Sequence, residues 1–227
     1  MKQRLMTLVL AAALVAGAGW WVAGMGTQAP TLNGQAVALP GAANAQESQA
    51  ADVTIQEMVI GAEDAPVEMI EYASYTCPHC ASFHKGVFKD LKADYIDTGK
   101  VKFIYREVYF DRYGLWGSLV ARCGGEDRFF GITEMIYDTQ SEWSRAGSEA
   151  AIADELRKIG RIAGIENDQL EACLSNGDKA RALIEWYQAN ADEHGINSTP
   201  SFVIDGTTYS NMSYGEFKEI LDEKLGS

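Results

Sequence analysis

Positive charge is scarce in this chain. Its 227 residues carry 19 Lys and Arg against 32 Asp and Glu, a formal net charge of −13. Two of the cations, Lys2 and Arg4, lie in the N-terminal leader, which leaves 17 basic against 32 acidic side chains, or −15. A surface of that sign repels phosphate backbones and argues against nucleic acid as a partner. No glycine-rich phosphate-cradling loop and no internal repeat is present. Histidine is rarer still, at three residues: His79, His84 and His194. With no second Cys-x-x-Cys and no close histidine pair, a zinc site could draw locally on only Cys77, Cys80 and His84. Apolar residues are not scarce. At 47% hydrophobic and 10% aromatic the chain can bury a core and is not disordered.

Residues 1–26, MKQRLMTLVLAAALVAGAGWWVAGMG, put Lys2 and Arg4 before an apolar run from about Leu5 to Met25. This is an export signal or a membrane anchor. The run is long for a signal core and close to a membrane span, yet Ala16-Gly17-Ala18 offers a cleavage site, and Ala43-Asn44-Ala45 a distant second. Both readings stay open, and both export the bulk of the chain. Trp20 and Trp21 read as features of this leader. Residues 27–51 are small, polar and turn-rich, a flexible tether.

The globular part starts near Asp52. VTIQEMVI is an early strand or extended arm, and VEMIEYASY a buried strand. From Pro78, apolar residues Phe83, Val87, Phe88, Leu91 and Tyr95 recur at helical steps until Gly99. VKFIYREVYF (101–110) is a second strand, which makes a βαβ unit and an α/β chain. Five segments with helical stripes fill 112–194, with Trp116, Trp143 and Trp186 as packing residues. TPSFVID, an Asp205-Gly206 turn and TTYS then read as a hairpin, and YGEFKEILDEKL as a closing amphipathic helix.

Four cysteines, Cys77, Cys80, Cys123 and Cys173, permit two disulfides in three connectivities, and spacing alone does not choose among them. The C-P-H-C run sits at the start of the first helix. Pro78 suits a first turn, where its missing N–H costs nothing. Cys77 at the helix N-terminus meets unpaired N–H groups and the positive end of the helix dipole, which favour thiolate, and the His79 side chain offers a further donor. Cys80, one turn further in, can attack a mixed disulfide at Cys77. The spacing therefore predicts an exposed attacker and a shielded resolver. A purely structural 77–80 bridge would close too short a loop to constrain the unfolded chain much.

CPHC between strand and helix resembles the active site of the DsbA family of bacterial periplasmic thiol oxidases. The likeness extends to Ser198-Thr199-Pro200-Ser201-Phe202-Val203, which has the character of the family's cis-proline strand, to the helical insertion, and to an acidic residue six before the first cysteine, Glu71. It spans about residues 52–225. The resemblance implies a thioredoxin-like fold interrupted by an inserted all-helical subdomain: a first half at 52–111, the insertion at 112–194, a second half at 195–227. It implies a periplasmic, cofactor-free enzyme in which Cys77 and Cys80 cycle between dithiol and disulfide. Pro78, His79 and Glu71 would tune the thiolate, and Thr199 and Pro200 would meet an extended substrate. Glu71 either accepts the Cys80 proton or reaches solvent at the strand end. His84 is expected at the surface or in packing. Partners would be newly exported cysteine-containing proteins and a quinone-linked membrane oxidase of the DsbB kind. No apolar interface is evident, so a monomer is expected.

The chain departs from the family pattern in two places. Tyr75-Thr76 precede Cys77 where members often carry aromatic pairs, so the surface near the site is expected to differ. Cys123 and Cys173 are additional, and some relatives carry a second pair. Paired, they would staple the insertion by closing a loop of about 50 residues, worth at most ~4 kcal/mol. Two free thiols or a second redox pair are the rivals. Three other functions compete. A reductase or isomerase shares the fold, although the chain shows no separate dimerisation domain. A metallochaperone would use Cys77, Cys80 and His84. A glutathione-transferase-like relative would not need both cysteines.

Overall fold

A computed structural model describes residues 53–226, together with two short strands at Thr31–Leu32 (β1) and Gln35–Ala36 (β2). The leader and its cleavage sites lie outside the described residues. β1 and β2 pair antiparallel, Thr31 opposite Ala36, so the segment read as a turn-rich tether contains a small ladder of its own.

Residues 53–226 build a five-stranded sheet from β3 (Met58–Ile60), β4 (Val67–Ala73), β5 (Val101–Glu107), β6 (Ser201–Ile204) and β7 (Thr207–Ser210). The order is β3-β5-β4-β6-β7, with β4 and β5 parallel and every other pair antiparallel. Strand alternation divides the side chains into two layers. Val67, Met69, Ala73, Phe103, Tyr105, Phe202 and Ile204 join the larger core, with Phe83, Ile132, Ile136, Phe217 and Leu221 from the helices. Ile70, Tyr72, Ile104, Val108 and Val203 form a smaller layer on the other face, packed against Tyr187 and Ile196. β4 is buried along nearly its whole length because it is central and covered on both sides.

The single helix read from Pro78 to Gly99 is three pieces: α1 (Pro78–Lys85), α2 (Val87–Leu91) and a π-helical turn at Lys92–Ile96. Gly86, at φ −125° and ψ −93°, breaks the run, while the apolar spacing continues across the break and hides it from a periodicity reading. The strand read as 101–110 ends at Glu107. Val108 N–H still bonds Ala73 O at 2.7 Å, and Asp111 then turns the chain by accepting from the N–H groups of Tyr113 and Gly114.

Between β5 and β6 run α3 (Arg112–Cys123), α4 (Glu126–Asp138), α5 (Gln140–Trp143), α6 (Glu149–Ile162), α7 (Asn167–Leu174) and α8 (Gly177–Glu193). α6 and α7 approach closely at Gly160, where a Cβ would meet Leu170 Cδ2 at 2.5 Å. A disulfide joins Cys123 at the end of α3 to Cys173 in α7. Beside it Arg122 grips Glu107 in a buried bidentate pair, with both bonds at 2.6 Å. Trp143 is buried and donates Nε1–H to Ile136 O, and Trp186 lies beneath the guanidinium groups of Arg106 and Arg122. The β6–β7 turn has Asp205 at φ 44° and Gly206 at φ 78°, the paired positive angles that a two-residue Asp-Gly hairpin requires. α9 (Tyr214–Leu225) closes the chain behind a Ser213/Glu216 capping box.

Candidate active site

Cys77 is the N-cap of α1. Its backbone is extended, at φ −79° and ψ 118°, its N–H bonds Ser74 O, and its Sγ accepts the Cys80 N–H at 3.3 Å. The sulfur thus takes the place that a Ser or Asp side chain fills at an ordinary N-cap. Pro78 occupies the first helical position. The Thr199–Pro200 peptide bond is cis and brings its chain against the motif: Cys77 Sγ lies 3.4 Å from Thr199 O.

The loop before Cys77 is held by groups that no motif announced. Gln140 on α5, nearly buried, donates through Nε2 to both Tyr75 O and Cys77 O at 2.8 Å. Thr76 Oγ1 donates to Asp111 Oδ2 at 2.8 Å. Tyr75 points inward and shares a 2.7 Å hydrogen bond with Thr133, so it shapes the core and not the surface around the site. Gln140 lies in a short helix far along the chain, and only the tertiary fold makes it a neighbour. Beside the cysteines lies a cleft of about 480 Å³, lined by Thr76, Pro78, Lys85, Asp111, Tyr113 and Arg145 among others.

The two sulfurs have opposite environments. The Cys77 thiol is lowered to about 5, first by the hydrogen bond from the Cys80 side chain, against the opposing cost of burial, then by the Thr199 side chain and the N–H groups of Cys80 and His79. Burial pushes the Cys80 thiol far up, and the neighbouring Cys77 sulfur and the Glu71 carboxylate push it further. Two expectations change here. Cys77 is only 8% exposed, so the attacking sulfur is a narrow opening and not a projecting group. His79 is exposed and contributes its backbone N–H; the anticipated imidazole bond to the sulfur is absent among the described residues.

Beneath the motif, Glu71 on β4 is fully buried. Its Oε2 bonds His84 Nε2 at 2.8 Å, and its Oε1 has no hydrogen-bond partner. Burial raises the Glu71 carboxyl and His84 opposes the rise. The reading of Glu71 as a strand-end group reaching solvent is therefore wrong, because β4 is central and covered. His84, expected at the surface or in packing, is in packing: it is 5% exposed and its ring stacks on Tyr137 at 4.4 Å. Local spacing left these alternatives open because neither partner's burial follows from it. With Nε2 on Glu71, His84 does not turn to the sulfurs, and among the described residues no three His, Cys, Asp or Glu side chains converge as metal ligands.

A family model described as "Thioredoxin" matches residues 53–223. The chain belongs to the thioredoxin family. Among the relatives of this family member, a putative protein-disulfide oxidoreductase of Rickettsia bellii is 31% identical over 170 residues, covering 74% of this chain and 64% of the relative. Disulfide bond formation protein D of Bacillus subtilis is 29% identical over 178 residues, covering 74% of this chain and 76% of the relative. The chain spans between 60% and 64% of the length of the Rickettsia relatives. Among solved structures, Wolbachia pipientis alpha-DsbA1 superimposes with a TM-score of 0.69 at 24% identity, covering 77% of this chain and 93% of that one. Oxidised BdbD of Bacillus subtilis gives 0.63 at 24% identity, covering 75% and 94%. The DsbA-type thioredoxin fold read from the motif and the helical insertion is the fold the chain has.

Proposed function

We propose that this chain is an exported thiol:disulfide oxidoreductase that introduces disulfides into other exported proteins. The observation that carries this reading is the asymmetry of the two sulfurs: Cys77 Sγ caps the N-terminus of α1 and accepts the Cys80 N–H, which lowers its thiol, while Cys80 is fully enclosed, which raises its own. The names of the Rickettsia and Bacillus relatives support the same class of reaction.

In the oxidised enzyme a client thiolate attacks Cys77 Sγ. The Cys77–Cys80 bond breaks, and Cys80 leaves and takes up a proton. A second client thiolate then attacks the client sulfur of the mixed disulfide, and Cys77 leaves as thiolate. The client gains a disulfide and the enzyme holds the two electrons. Whatever stabilises the Cys77 thiolate favours the reduced enzyme and makes the disulfide a stronger oxidant. Thr199 O lies against Cys77 Sγ, and an extended client segment would meet Thr199 and cis-Pro200 there, with the cleft lined by Thr76 and Pro78 giving it room beside the motif. Glu71 is the base that receives the Cys80 proton when the enzyme is reoxidised. The oxidant is a membrane partner of the quinone-linked DsbB class, and the compartment is the periplasm, with the protein acting as a monomer.

The test is the reduction potential of Cys77–Cys80 in a glutathione buffer, with Cys123 and Cys173 both replaced. The reference marks are about −120 mV for DsbA and about −270 mV for thioredoxin. A value above about −150 mV supports the oxidase. A value at the thioredoxin end overturns it and leaves a reductase.

A further inference from the structure

Cys80 must gain one proton when a client is oxidised and lose one when the enzyme is reoxidised. It is fully buried, and so is Glu71. A carboxylate sealed in the core can take a single proton but cannot pass it on, so the cycle needs a route to water. His84 lies four residues after Cys80 on α1, one turn along the same helix face. His84 Nε2 holds Glu71 Oε2 at 2.8 Å and leaves Oε1 unpartnered. His84 also lines a cavity of about 160 Å³ that extends to Phe88, Phe130 and Gly131. Lys89 and Glu134, which also line it, pair at 3.4 Å with both side chains more than half exposed, so the cavity reaches the surface there.

We propose that His84 is a positioning residue that couples the Glu71 carboxyl to this cavity and so gives the Cys80 proton its way in and out. The inference rests on the dithiol–disulfide cycle proposed above and adds His84 and the cavity to it. During reoxidation Cys80 Sγ–H passes its proton to Glu71 Oε1, and the Cys80 thiolate attacks the mixed disulfide at Cys77, releasing the oxidant's thiolate. Glu71, now neutral, no longer balances an imidazolium, and His84 releases its Nδ1 proton to cavity water. During client oxidation Cys80 leaves as thiolate and takes the Glu71 proton, and the renewed carboxylate draws a proton from water onto Nδ1. The Nε2–H to Oε2 bond persists throughout, and carboxylate with imidazolium exchanges for carboxyl with imidazole. The buried pair is electrically neutral at the start and at the end of each half-cycle, which matters because an isolated buried charge is costly. The other titratable groups around His84 are the phenols of Tyr105 and Tyr137 against its ring, and Lys89, Lys92, Glu134 and Asp138 around the cavity. Burial holds both phenols protonated well above neutrality, so they do not compete for the proton.

The experiment is stopped-flow reoxidation of the reduced full chain by excess oxidised glutathione. It separates the bimolecular formation of the Cys77–glutathione disulfide from the unimolecular attack by Cys80. His84→Gln keeps a donor for Glu71 but cannot change charge. It is expected to slow the second phase about tenfold near neutrality, to change the first phase less than about twofold, and to flatten the pH profile of the second. Gly131→Leu leaves Glu71 and His84 intact. Gly131 lines the cavity, is exposed and has no neighbour within 4 Å of a Cβ, so a longer side chain fits at the cavity rim without a clash. It is expected to slow the second phase as well, and it decides the matter alone if His84→Gln does not fold. A wild-type second phase in Gly131→Leu, or equal slowing of both phases in His84→Gln, overturns the proposal. A wild-type chain that does not exchange with glutathione at all overturns the Cys77–Cys80 cycle instead.

Discussion

Glu107 and Glu71 are buried carboxylates on adjacent strands, facing the same side of the sheet, and they are treated oppositely. Both oxygens of Glu107 are held by the Arg122 fork, and Arg122 Nη1 goes on to Gln56 O. Glu71 has one oxygen bonded and one bare, beneath a pair of thiols. The cysteines repeat the contrast. Cys123 and Cys173, 50 residues apart, are bonded to each other, whereas Cys77 and Cys80 are free thiols in unlike environments. Where every valence is matched, the group fastens elements together. Where one is left unmatched, the group remains able to react.

The sharpest break of this contrast comes at the thiols. Cys77→Ser is expected to abolish disulfide exchange, since the remaining sulfur is enclosed and protonated. Cys80→Ser should instead accumulate a mixed disulfide through Cys77, visible by intact mass without reductant. Next is the matched carboxylate. Arg122→Met strands the Glu107 charge and is expected to cost about 3–5 kcal/mol in urea unfolding, most of it recovered when Glu107→Leu is added. Replacing Cys123 and Cys173 by Ala is expected to cost about 2–4 kcal/mol. It should move the Cys77–Cys80 potential by less than about 30 mV, and a larger movement would make the second pair part of the redox device.

Local chemistry was legible in the sequence. C-P-H-C after a β-patterned run specifies an N-cap cysteine, and Asp205-Gly206 specifies its hairpin. What could not be read depends on partners distant in sequence. Nothing near residue 140 reveals that Gln140 holds the carbonyl oxygens of Tyr75 and Cys77, because that contact exists only once α5 packs on the loop. Glu71 and His84 are each singled out in the sequence, but nothing local pairs them; that pairing is a 2.8 Å contact between a strand and a helix. Gly86 escaped because its break falls between two apolar residues that keep helical spacing.

Proton linkage gives smaller effects. In the reduced protein Cys77 ionises at about 5, whereas the unfolded thiol does so near roughly 8.5. Between those values the unfolded chain binds the extra proton, so reduced protein gains stability as pH rises and loses it as pH falls through about 5. The oxidised protein has no such thiol. Comparing the two forms by thermal unfolding should therefore show the reduced form gaining about 1–2 kcal/mol on the oxidised between pH 5 and 7, after discounting for solvent screening of a partly open sulfur.

Glu71 has the opposite sign and the smallest effect. Its folded carboxyl is raised by burial, so the folded protein retains a proton that the unfolded chain gives up above about pH 4.3. Stability contributed by the protonated form is then lost as pH rises toward neutrality. Glu71→Gln removes that loss and keeps an oxygen for the His84 Nε2–H. It is expected to match wild type near pH 4 and to exceed it by about 1 kcal/mol near pH 7, while slowing the Cys80 step. A variant less stable than wild type at neutral pH would mean that the ion pair with His84 outweighs the burial cost. Glu71 would then belong with Glu107, as a group that fastens β4 to α1.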